Sequence, residues 1–428
     1  MRILLGVHQF FPHHYTGTER YVLNLAKQLQ RMGHYVKVLT YAFRDQSDFQ
    51  KIHETDLLSK EYSYEGVPVV ALRHKYHPDD LVFVFDFMDA DIYRETRKIL
   101  EEEKFDLYHC AHPLRIASSI KAARDTGVKV VMMVTDYFMM CPMGIMLRSD
   151  NTLCDGPDEG RNCLKHCFTN VKKDRMERRN SDARILLECC DHLLSPSRFL
   201  IGLFNHTGFI PAERFYLSRH GFDYRKKKKL ISREAEESIT FGYIGTVQYH
   251  KGVHIMIEGF KQTRNQNIRL QVWGGCFHEA EYQKSVLKIA GGDPRIDFKG
   301  SYDFNDVASI LESIDVVIVP SIWYENAPLT ITTSLAYGIP VITSDIGGMS
   351  ETIKDGWNGM TFKVGDSADL AEKIASVAVN PELIATFKKN IQYPIRIEEE
   401  AFNTELIYKE LVPEKWEKSE SKSSAHTQ

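Results

Sequence analysis

A single acidic residue, Glu325, follows the apolar stretch at residues 315–320, which is typical of a buried strand. Its carboxylate could accept hydrogen bonds from hydroxyl groups, as the recognition of a sugar requires. Pro328 comes three residues later, where the first turn of a helix tolerates proline. The free N–H groups of such a turn can bind an anion. This stretch therefore predicts a site for a ligand that carries both hydroxyl groups and negative charge.

A second candidate group, Lys251, lies in the sequence GTVQYHKG at residues 245–252, directly after another strand-like stretch. Gly245 ends that strand, and Lys251 opens the next helix together with Gly252. A lysine at this place could reach a diphosphate and neutralise its charge as a leaving group departs. The alternative is a solvated lysine at the start of a helix.

The loop after the first strand, residues 8–20, offers a third candidate. Gly17 lies just before a predicted helix, where a glycine lets a ligand approach the backbone and where N–H groups can bind a phosphate. The alternative is a glycine in an ordinary turn between a strand and a helix. In parallel α/β sheets, ligands bind beyond the carboxyl ends of the strands, which is where all three loops lie.

Strand-like and helical patterns alternate along the chain, which predicts βαβ units and a parallel sheet covered on both faces. The predicted strands are residues 2–7, 35–40, 67–72, 105–110, 128–134, 191–195, 239–245, 268–273, 295–300, 315–320 and 340–344. The predicted helices include residues 19–32, 368–379 and 398–411, and Pro394 breaks the helical pattern before the last of them.

Two domains with Rossmann-like patterns follow from these elements and from the length of 428 residues. A charged stretch separates the two runs of strands and is the natural linker. The expected boundaries are an N-terminal domain at 1–222, a linker at 223–238, a C-terminal domain at 239–392, a C-terminal helix at 393–412 and a disordered tail at 413–428.

The composition restricts the classes of partner. The formal net charge is −4, so the whole chain has no attraction for nucleic acid, and none is expected as a partner. No stretch approaches the ~18 apolar residues of a membrane-spanning helix. The N-terminus lacks the long apolar core and the cleavage site of a signal peptide. We therefore expect a cytoplasmic protein.

Basic residues are concentrated in two runs, at 172–179 and at 225–229. The first lies on a predicted helix and could face anionic lipid head groups, which would place the protein peripherally at the inner face of a membrane. It could also face an anionic acceptor, and the alternative is a solvated helix face. The second run lies in the predicted linker, where solvation is expected.

Four of the eight cysteines fall within an insertion at residues 141–167: Cys141, Cys154, Cys163 and Cys167. In a cytoplasmic protein, close spacing of this kind favours thiolate ligands for a structural zinc ion. Four thiolates would leave no open position on the ion, so a catalytic zinc is not expected. Four unconnected thiols and disulfides are the alternatives.

The order and spacing of these motifs resemble those of the retaining glycosyltransferases of family 4, which have the GT-B fold. The motifs are G-x5-K-G from Gly245, E-N-x-P from Glu325, A-x-G-x-P-V-I from Ala336 and D-x-G-G-x-x-E from Asp345. The N-terminal region adds P-x4-G-x-E-R-x4-L-A-x2-L-x3-G-H-x-V from Pro12 and the turn SRHGFD at 218–223. The resemblance covers most of residues 1–412 and is strongest at 245–362.

This resemblance implies an α/β protein with two Rossmann-like parallel-sheet domains that face each other across a cleft, and a C-terminal helix that crosses back to the N-terminal domain. It implies transfer of a sugar from a UDP- or GDP-linked donor to a glycan, a glycolipid or a small-molecule acceptor, with retention at the anomeric carbon. No catalytic metal or other catalytic cofactor is implied, because the leaving phosphate helps to deprotonate the acceptor.

The resemblance also implies roles for individual residues. Glu325 and Lys251 are the catalytic pair, which hold the sugar hydroxyls and the diphosphate. Asp136 lies on the acceptor or sugar side. The remaining donor-binding residues lie at the starts of helices and the ends of strands: Gly17, Thr18, Glu19, Gly245, Thr246, Asn326, Ala327, Pro328, Leu329, Thr330 and Thr333.

Three positions differ from the family pattern. Thr333 and Thr246 replace a glutamate and an arginine, and Thr135 replaces a histidine. These differences keep open a catalytically silent binding partner with the same fold. A sugar-nucleotide epimerase is a second alternative, although the sequence shows no acid and base pair around one sugar. A phosphorylase would need a lysine motif for pyridoxal phosphate, which is not recognisable.

Overall fold

A computed structural model of the chain describes residues 1–14, 17–42, 47–224, 238–276 and 279–413. The chain forms two compact units, Met1–Gly221 together with the chain from Ile397 onward, and Phe222–Arg396. The basic run at 225–229, most of the predicted linker and the tail from residue 414 lie outside the described residues.

Within the described residues of the first unit, nine strands form one sheet. They are β1 (Arg2–Val7), β2 (Tyr35–Tyr41), β3 (Gln50–Lys51), β4 (Leu57–Tyr64), β5 (Val67–His74), β6 (Leu107–Cys110), β7 (Lys129–Met133), β8 (His192–Ser195) and β9 (Phe215–Leu217). Their order is β3-β4-β5-β2-β1-β6-β7-β8-β9. Neighbouring strands run parallel except in the pairs β3–β4 and β4–β5.

Helices follow most of these strands. They are α1 (Gly17–Arg31), α2 (Asp80–Phe85), α3 (Ala90–Glu102), α4 (Ser118–Asp125), α5 (Arg161–His166), α6 (Lys173–Glu188) and α7 (Arg198–His206). Asp89 begins α3 by accepting hydrogen bonds from the N–H groups of Asp91 and Ile92, and Ser197 caps α7 in the same way. In α1, apolar residues at helical spacing, including Val22, pack into the core.

The second unit contains an all-parallel sheet in the order β12-β11-β10-β13-β14-β15 among its described residues. The strands are β10 (Ile239–Ile244), β11 (Ile268–Trp273), β12 (Ile296–Gly300), β13 (Val316–Val319), β14 (Val341–Ser344) and β15 (Gly359–Phe362). The helices are α8 (Val253–Gln262), α9 (Ala280–Ala290), α10 (Val307–Glu312), α11 (Leu329–Ala336), α12 (Met349–Thr352), α13 (Ser367–Val379) and α14 (Glu382–Asn390).

The last helix, α15 (Ile397–Leu411), belongs to the first unit and packs against α1. Glu405 on this helix pairs with His34, with 2.9 Å between Oε1 and Nε2. The hydroxyl of Tyr408 lies 2.5 Å from Nδ1 of His109 and is fully buried. These contacts confirm that the helix after Pro394 returns to the N-terminal domain.

Each strand predicted from the sequence is present, with ends that differ by no more than two residues. The hairpin β4–β5 was not predicted and departs from the all-parallel expectation. Glu65 and Gly66 connect its strands, and both have positive φ angles, 46° and 83°. Positive φ at both central residues is typical of a tight type I′ turn, which allows only antiparallel pairing.

Candidate functional site

The loop after β10 and the loop after β13 lie side by side in the second unit. The two strands are parallel neighbours, so both loops leave the same edge of the sheet. The N–H group of Ile322 donates to the carbonyl oxygen of His250 at 2.9 Å. The hydroxyl of Thr330 donates to the carbonyl oxygen of Ile244 at 3.0 Å. These bonds fix the two predicted donor-binding loops against each other.

The side chains of Lys251 and Glu325 meet between these loops. Nζ of Lys251 lies 2.7 Å from Oε1 of Glu325. The same oxygen accepts the hydroxyl of Ser321 at 2.8 Å and the indole N–H of Trp323 at 3.0 Å. Oε2 makes no hydrogen bond to any described residue. The structure therefore brings the predicted catalytic pair together and leaves one carboxylate oxygen available.

Glu325 is ionised at neutral pH. Burial by itself would raise the pKa of this carboxyl, which is only 8% exposed. The charge of Lys251 and the hydrogen bonds from Lys251, Ser321 and Trp323 outweigh burial and lower the pKa below its ordinary value. Glu325 is therefore a fixed hydrogen-bond acceptor rather than a source of protons.

Two glycines allow the backbone to pack closely around Glu325. The N–H group of Gly348 donates to the carbonyl oxygen of Glu325 at 2.7 Å, and a Cβ at Gly348 would clash with the carbonyl oxygen of Asn326. Gly252 has a φ angle of 70°, and a Cβ there would clash with the carbonyl oxygen of Pro320. The G-G and K-G pairs of the sequence therefore shape the turn that presents Glu325.

Helix α11 continues directly from this turn. Pro328 precedes its first residue, Leu329, and the N–H groups of its first turn have no partners within the helix by virtue of their position. Thr333 lies half-buried on the same helix. The predicted residues between Glu325 and the helix are Asn326, Ala327 and Pro328.

Gly245 and Thr246 follow β10 directly. The carbonyl oxygen of Thr246 accepts a hydrogen bond from the hydroxyl of Tyr243 at 2.6 Å. The hydroxyl of Thr246 donates to Oε1 of Gln248 at 3.1 Å. Thr246 therefore orders the loop that leads to Lys251.

The remaining predicted residues lie in the first unit. Gly17 and Thr18 begin α1, and Tyr15 and Thr16 before them lie outside the described residues. Glu19 in the first turn is fully buried, with Oε1 at 3.6 Å from Nε2 of His8. A carboxylate in this turn interacts favourably with the helix dipole.

Asp136 lies after β7 and is held by two donors. Nδ1 of His112 accepts the N–H group of Leu114 at 3.2 Å, so the ring proton lies on Nε2, which donates to Oδ2 of Asp136 at 2.9 Å. The N–H group of Phe138 donates to Oδ1 at 2.8 Å. The side chain of Asp136 is still 36% exposed, so its carboxylate can accept a hydrogen bond from a ligand.

His8 packs against His112, with ring centroids 4.2 Å apart. Burial, together with the charges of His112, Arg115 and His14, lowers the pKa of His8 well below its ordinary value. The imidazole of His8 is therefore neutral at pH 7. His8, His112 and Asp136 follow the neighbouring strands β1, β6 and β7 and form one polar cluster at the carboxyl edge of the first sheet.

The sequence did not reveal the roles of His112, Ser321 and Trp323. Ser321 and Trp323 lie within four residues of Glu325, so their proximity was visible, but the direction of their side chains was not. For His112, the available signal was its position: it follows one predicted strand, and Asp136 follows the next. That signal was too general to separate this histidine from others near strand ends.

Comparison with protein families identifies the chain. The family model described as Glycosyl transferases group 1 matches residues 225–393, and the model described as Glycosyltransferase Family 4 matches residues 15–226. The chain belongs to the group 1, family 4 glycosyltransferases. The resemblance that the motifs indicated is thereby confirmed.

Relatives of this glycosyltransferase are distant in sequence. An uncharacterized glycosyltransferase of Methanocaldococcus jannaschii is 22% identical over 361 residues, which are 84% of either chain. Sucrose-phosphate synthase from Thermosynechococcus elongatus has a TM-score of 0.69 at 18% identity, over 96% of this chain and 98% of that one. Anabaena HepE in complex with UDP has a TM-score of 0.68 at 16% identity, over 95% and 99%. These similarities confirm the GT-B fold.

The zinc site predicted at Cys141, Cys154, Cys163 and Cys167 stays a prediction. Within the described ranges, no three or more His, Cys, Asp or Glu side chains are arranged to hold a metal ion, and the cysteines are free. Cys163 packs against the apolar side chains of Phe85 and Met176, and burial raises the pKa of its thiol to about 12. Burial also raises the pKa of Cys141 and Cys154. The apolar packing of Cys163 fits the alternative of unconnected thiols, and the electrostatic influence of Cys141, Cys154 and Cys167 on Cys163 shows that the four thiols lie near one another.

The basic run at 172–179 is exposed in part, at Lys172, Lys173 and Arg178. Arg175 and Arg178 both pair with Asp86, at 2.6 and 3.1 Å. Arg179 is fully buried. The interpretation of this run as a solvated helix surface is therefore wrong for the buried Arg179 but holds for Arg178, which is 60% exposed, and contact with a membrane stays a prediction. Within the described ranges, each helix is too short or too polar to cross a lipid bilayer.

Proposed function

We propose that this glycosyltransferase moves a sugar from a UDP- or GDP-linked donor to a glycan, glycolipid or small-molecule acceptor, with retention at the anomeric carbon. The observation that carries the proposal is the ion pair of Lys251 and Glu325, 2.7 Å apart at the carboxyl edge of the second sheet. This pair supplies a cation for a diphosphate and an oxygen for a sugar hydroxyl.

Lys251 would contact the diphosphate. In the free protein its charge is balanced by Glu325, and its side chain remains 25% exposed. A diphosphate carries more negative charge than a carboxylate, so it can draw Lys251 into a new ion pair. The N–H groups at the start of α11 would add hydrogen bonds. The complex of HepE with UDP supports a nucleotide ligand.

Glu325 would bind the sugar through Oε2. Three donors hold Oε1 and keep the carboxylate ionised, so Oε2 is oriented without being occupied. The backbone from Asn326 to Thr330 would complete the donor site. Thr333 would offer the nucleotide one hydroxyl, where a glutamate would offer two carboxylate oxygens.

The transfer would proceed on one face of the sugar. The acceptor oxygen bonds to the anomeric carbon as the bond from that carbon to the diphosphate oxygen breaks. The acceptor proton passes to an oxygen of the departing diphosphate, so the atoms and charges balance. Lys251 would stabilise the charge that develops on the diphosphate, and the site would act through positioning and electrostatics. No catalytic cofactor takes part in this scheme.

Asp136 would bind the acceptor. Its carboxylate is fixed by His112 and by the N–H group of Phe138, and it remains partly exposed. An acceptor hydroxyl could donate to it and be held in a defined orientation. A glycolipid acceptor would bring a cytoplasmic enzyme to the inner face of a membrane, where the exposed residues Lys172 and Lys173 could contact lipid head groups.

Donor hydrolysis and transfer, measured with panels of UDP- and GDP-sugars and acceptors, test this proposal. We expect turnover by the native protein and a loss of at least about 100-fold in E325Q and K251M. The exposed pair of Glu281 and Lys284 on α9 supplies matched controls, E281Q and K284M, which should retain native activity.

The outcomes separate the proposal from its alternatives. Nucleotide binding without turnover on any acceptor would favour a catalytically silent partner, which the threonines at 135, 246 and 333 suggest. Conversion of the donor sugar without transfer would indicate an epimerase. A product with inverted configuration at the anomeric carbon would contradict retention.

A further inference from the structure

His250 belongs to the cluster around the proposed diphosphate site. It lies in the 3-10 turn Tyr249–Lys251, and its ring meets the ring of Trp323 edge to face, with centroids 5.3 Å apart. Nζ of Lys251 lies 4.9 Å from the centroid of the same indole. The imidazole of His250 and the ammonium group of Lys251 therefore both contact the indole of Trp323, and the charges of Lys251 and Glu325 act on the imidazole.

The ring nitrogens of His250 make no hydrogen bond within the described part of the chain. Its backbone carbonyl has a structural role, since it accepts the N–H group of Ile322. His254 on α8 is a useful contrast, because its Nδ1 lies 2.8 Å from the hydroxyl of Tyr282. The half-buried imidazole of His250 thus has its donor and acceptor capacity available for a ligand.

Burial and the charge of Lys251 keep His250 neutral in the free protein. Burial lowers its pKa most, the charge of Lys251 lowers it further and Glu325 raises it, which leaves a pKa of about 4. On the other side of the turn, Glu279 accepts the N–H group of Tyr249 at 2.8 Å. A diphosphate beside Lys251 would reverse the balance, because negative charge nearby favours the protonated imidazole.

We propose that His250 takes up a proton when the nucleotide diphosphate binds and donates it in a hydrogen bond to the diphosphate. The proton comes from solvent, resides on the imidazole while the ligand is bound and returns to solvent when the ligand leaves. His250 would then be a second cation beside Lys251, protonated only while the diphosphate is bound. This inference rests on the proposed function, because it assumes that Lys251 binds the diphosphate.

Calorimetric titration of the full chain with UDP, and in parallel with GDP, tests the inference. Measurements at one pH in two buffers of different ionisation enthalpy give the number of protons taken up. We expect the native protein to take up a larger fraction of a proton than H250Q, and its affinity to fall by up to about tenfold per unit as the pH rises from 6 to 8. The ligand's own ionisation contributes equally to both proteins, so the difference between them is the measure.

Three controls make the result specific. H254Q should behave as the native protein, because His254 already binds Tyr282. H250F keeps an aromatic ring against Trp323 but cannot hold a proton, so it should match H250Q even if the glutamine variant folds poorly. Uridine and guanosine, which lack the diphosphate, should cause no uptake.

Equal proton uptake in native protein, H250Q and H250F would overturn this inference and leave the proposed function intact. Binding of neither UDP nor GDP would overturn both. Binding with uptake that is lost in H250Q and H250F, but kept in H254Q, would support both.

Discussion

Lys251 and Glu325 are 74 residues apart in the sequence, and their side chains form a 2.7 Å ion pair at the carboxyl edge of the second sheet. Each group balances the charge of the other while the site holds no ligand. The side chain of Glu325 is 10% exposed and that of Lys251 is 25% exposed. The charge of Glu325 is therefore less hydrated and is stabilised more by the ion pair than the charge of Lys251 is. The pair therefore contributes to stability as well as to the proposed donor site.

Removal of Lys251 should destabilise the protein. K251M leaves the Glu325 carboxylate buried without its cation, and we expect a loss of about 3 kcal/mol in the free energy of unfolding. The double variant K251M/E325Q should recover part of that loss, because no unpaired charge remains. Urea denaturation at pH 7 measures both values. Strictly additive effects of the two substitutions would contradict a direct coupling.

The same pair predicts a pH dependence of stability. The pKa of Glu325 in the folded protein lies below the ordinary value of 4.5, because Lys251 and three hydrogen bonds favour the ionised form. Its contribution is therefore complete above pH 4.5 and is lost as the pH falls further, through the lowered folded-state pKa. Below pH 4.5, the free energy of unfolding should fall more steeply with decreasing pH in the native protein than in E325Q. Parallel curves of unfolding free energy against pH for the two proteins would show that Glu325 does not contribute to this pH dependence.

Much of the fold and part of the site follow from the sequence, for a physical reason. Strands with continuous apolar runs must be buried, and the loops after parallel neighbours must meet at one edge, so Lys251 and Glu325 could be placed together before the structure was known. What could not be predicted depends on side-chain direction and on contacts between distant segments. Ser321 and Trp323 turn toward Glu325, and the carbonyl groups that bind Arg179 come from two other segments.

The cysteine insertion illustrates the limit of spacing arguments. Closely spaced cysteines are compatible with an ion, with disulfides and with simple packing, and only the environment of each sulfur separates these cases. Cys163 lies among apolar side chains, and Cys154 donates from Sγ to the carbonyl oxygen of Gly156 at 3.5 Å. Neither environment is visible from the intervals between the cysteines.

Gly348→Ala should damage the site through the backbone. The added Cβ would clash with the carbonyl oxygen of Asn326, so the turn that presents Glu325 must move. We expect a loss of about 1–3 kcal/mol in unfolding free energy and at least a tenfold loss of donor affinity, measured by denaturation and calorimetry. Gly202→Ala on α7 is the matched control, because a Cβ there would meet nothing within 4 Å. It should be neutral or slightly stabilising. Native affinity in Gly348→Ala would show that the turn tolerates displacement.

Asp136→Asn should impair use of the acceptor. The substitution removes the charge that accepts the Nε2–H group of His112 and would accept an acceptor hydroxyl. We expect kcat/KM for the acceptor to fall by about 10- to 100-fold while donor hydrolysis is unchanged. Asp155→Asn in the same unit is the control, because Asp155 is 75% exposed and pairs with Arg148. An equal loss of transfer and hydrolysis would place Asp136 on the donor side instead.

Arg179 should be among the most important residues for the stability of the first unit. Its buried guanidinium donates to the carbonyl oxygens of Val84, Phe138 and Met139. R179M leaves these three acceptors without their donor, so we expect a loss of at least about 3 kcal/mol in the free energy of unfolding. R178A is the matched control, because Arg178 is 60% exposed and makes only a surface ion pair, which should contribute less than about 1 kcal/mol.

The R179M substitution should also affect the acceptor, because Arg179 and Asp136 are linked through one residue. Phe138 donates its N–H group to Oδ1 of Asp136 and accepts a hydrogen bond from Arg179 at its carbonyl oxygen. Loss of the bond from Arg179 loosens the segment around Phe138, whose N–H group orients Asp136. The KM for the acceptor should therefore rise in R179M and remain native in R178A. Steady-state kinetics at a temperature where both variants are folded measures this effect. An unchanged KM in a destabilised R179M would show that Asp136 is held by His112 alone.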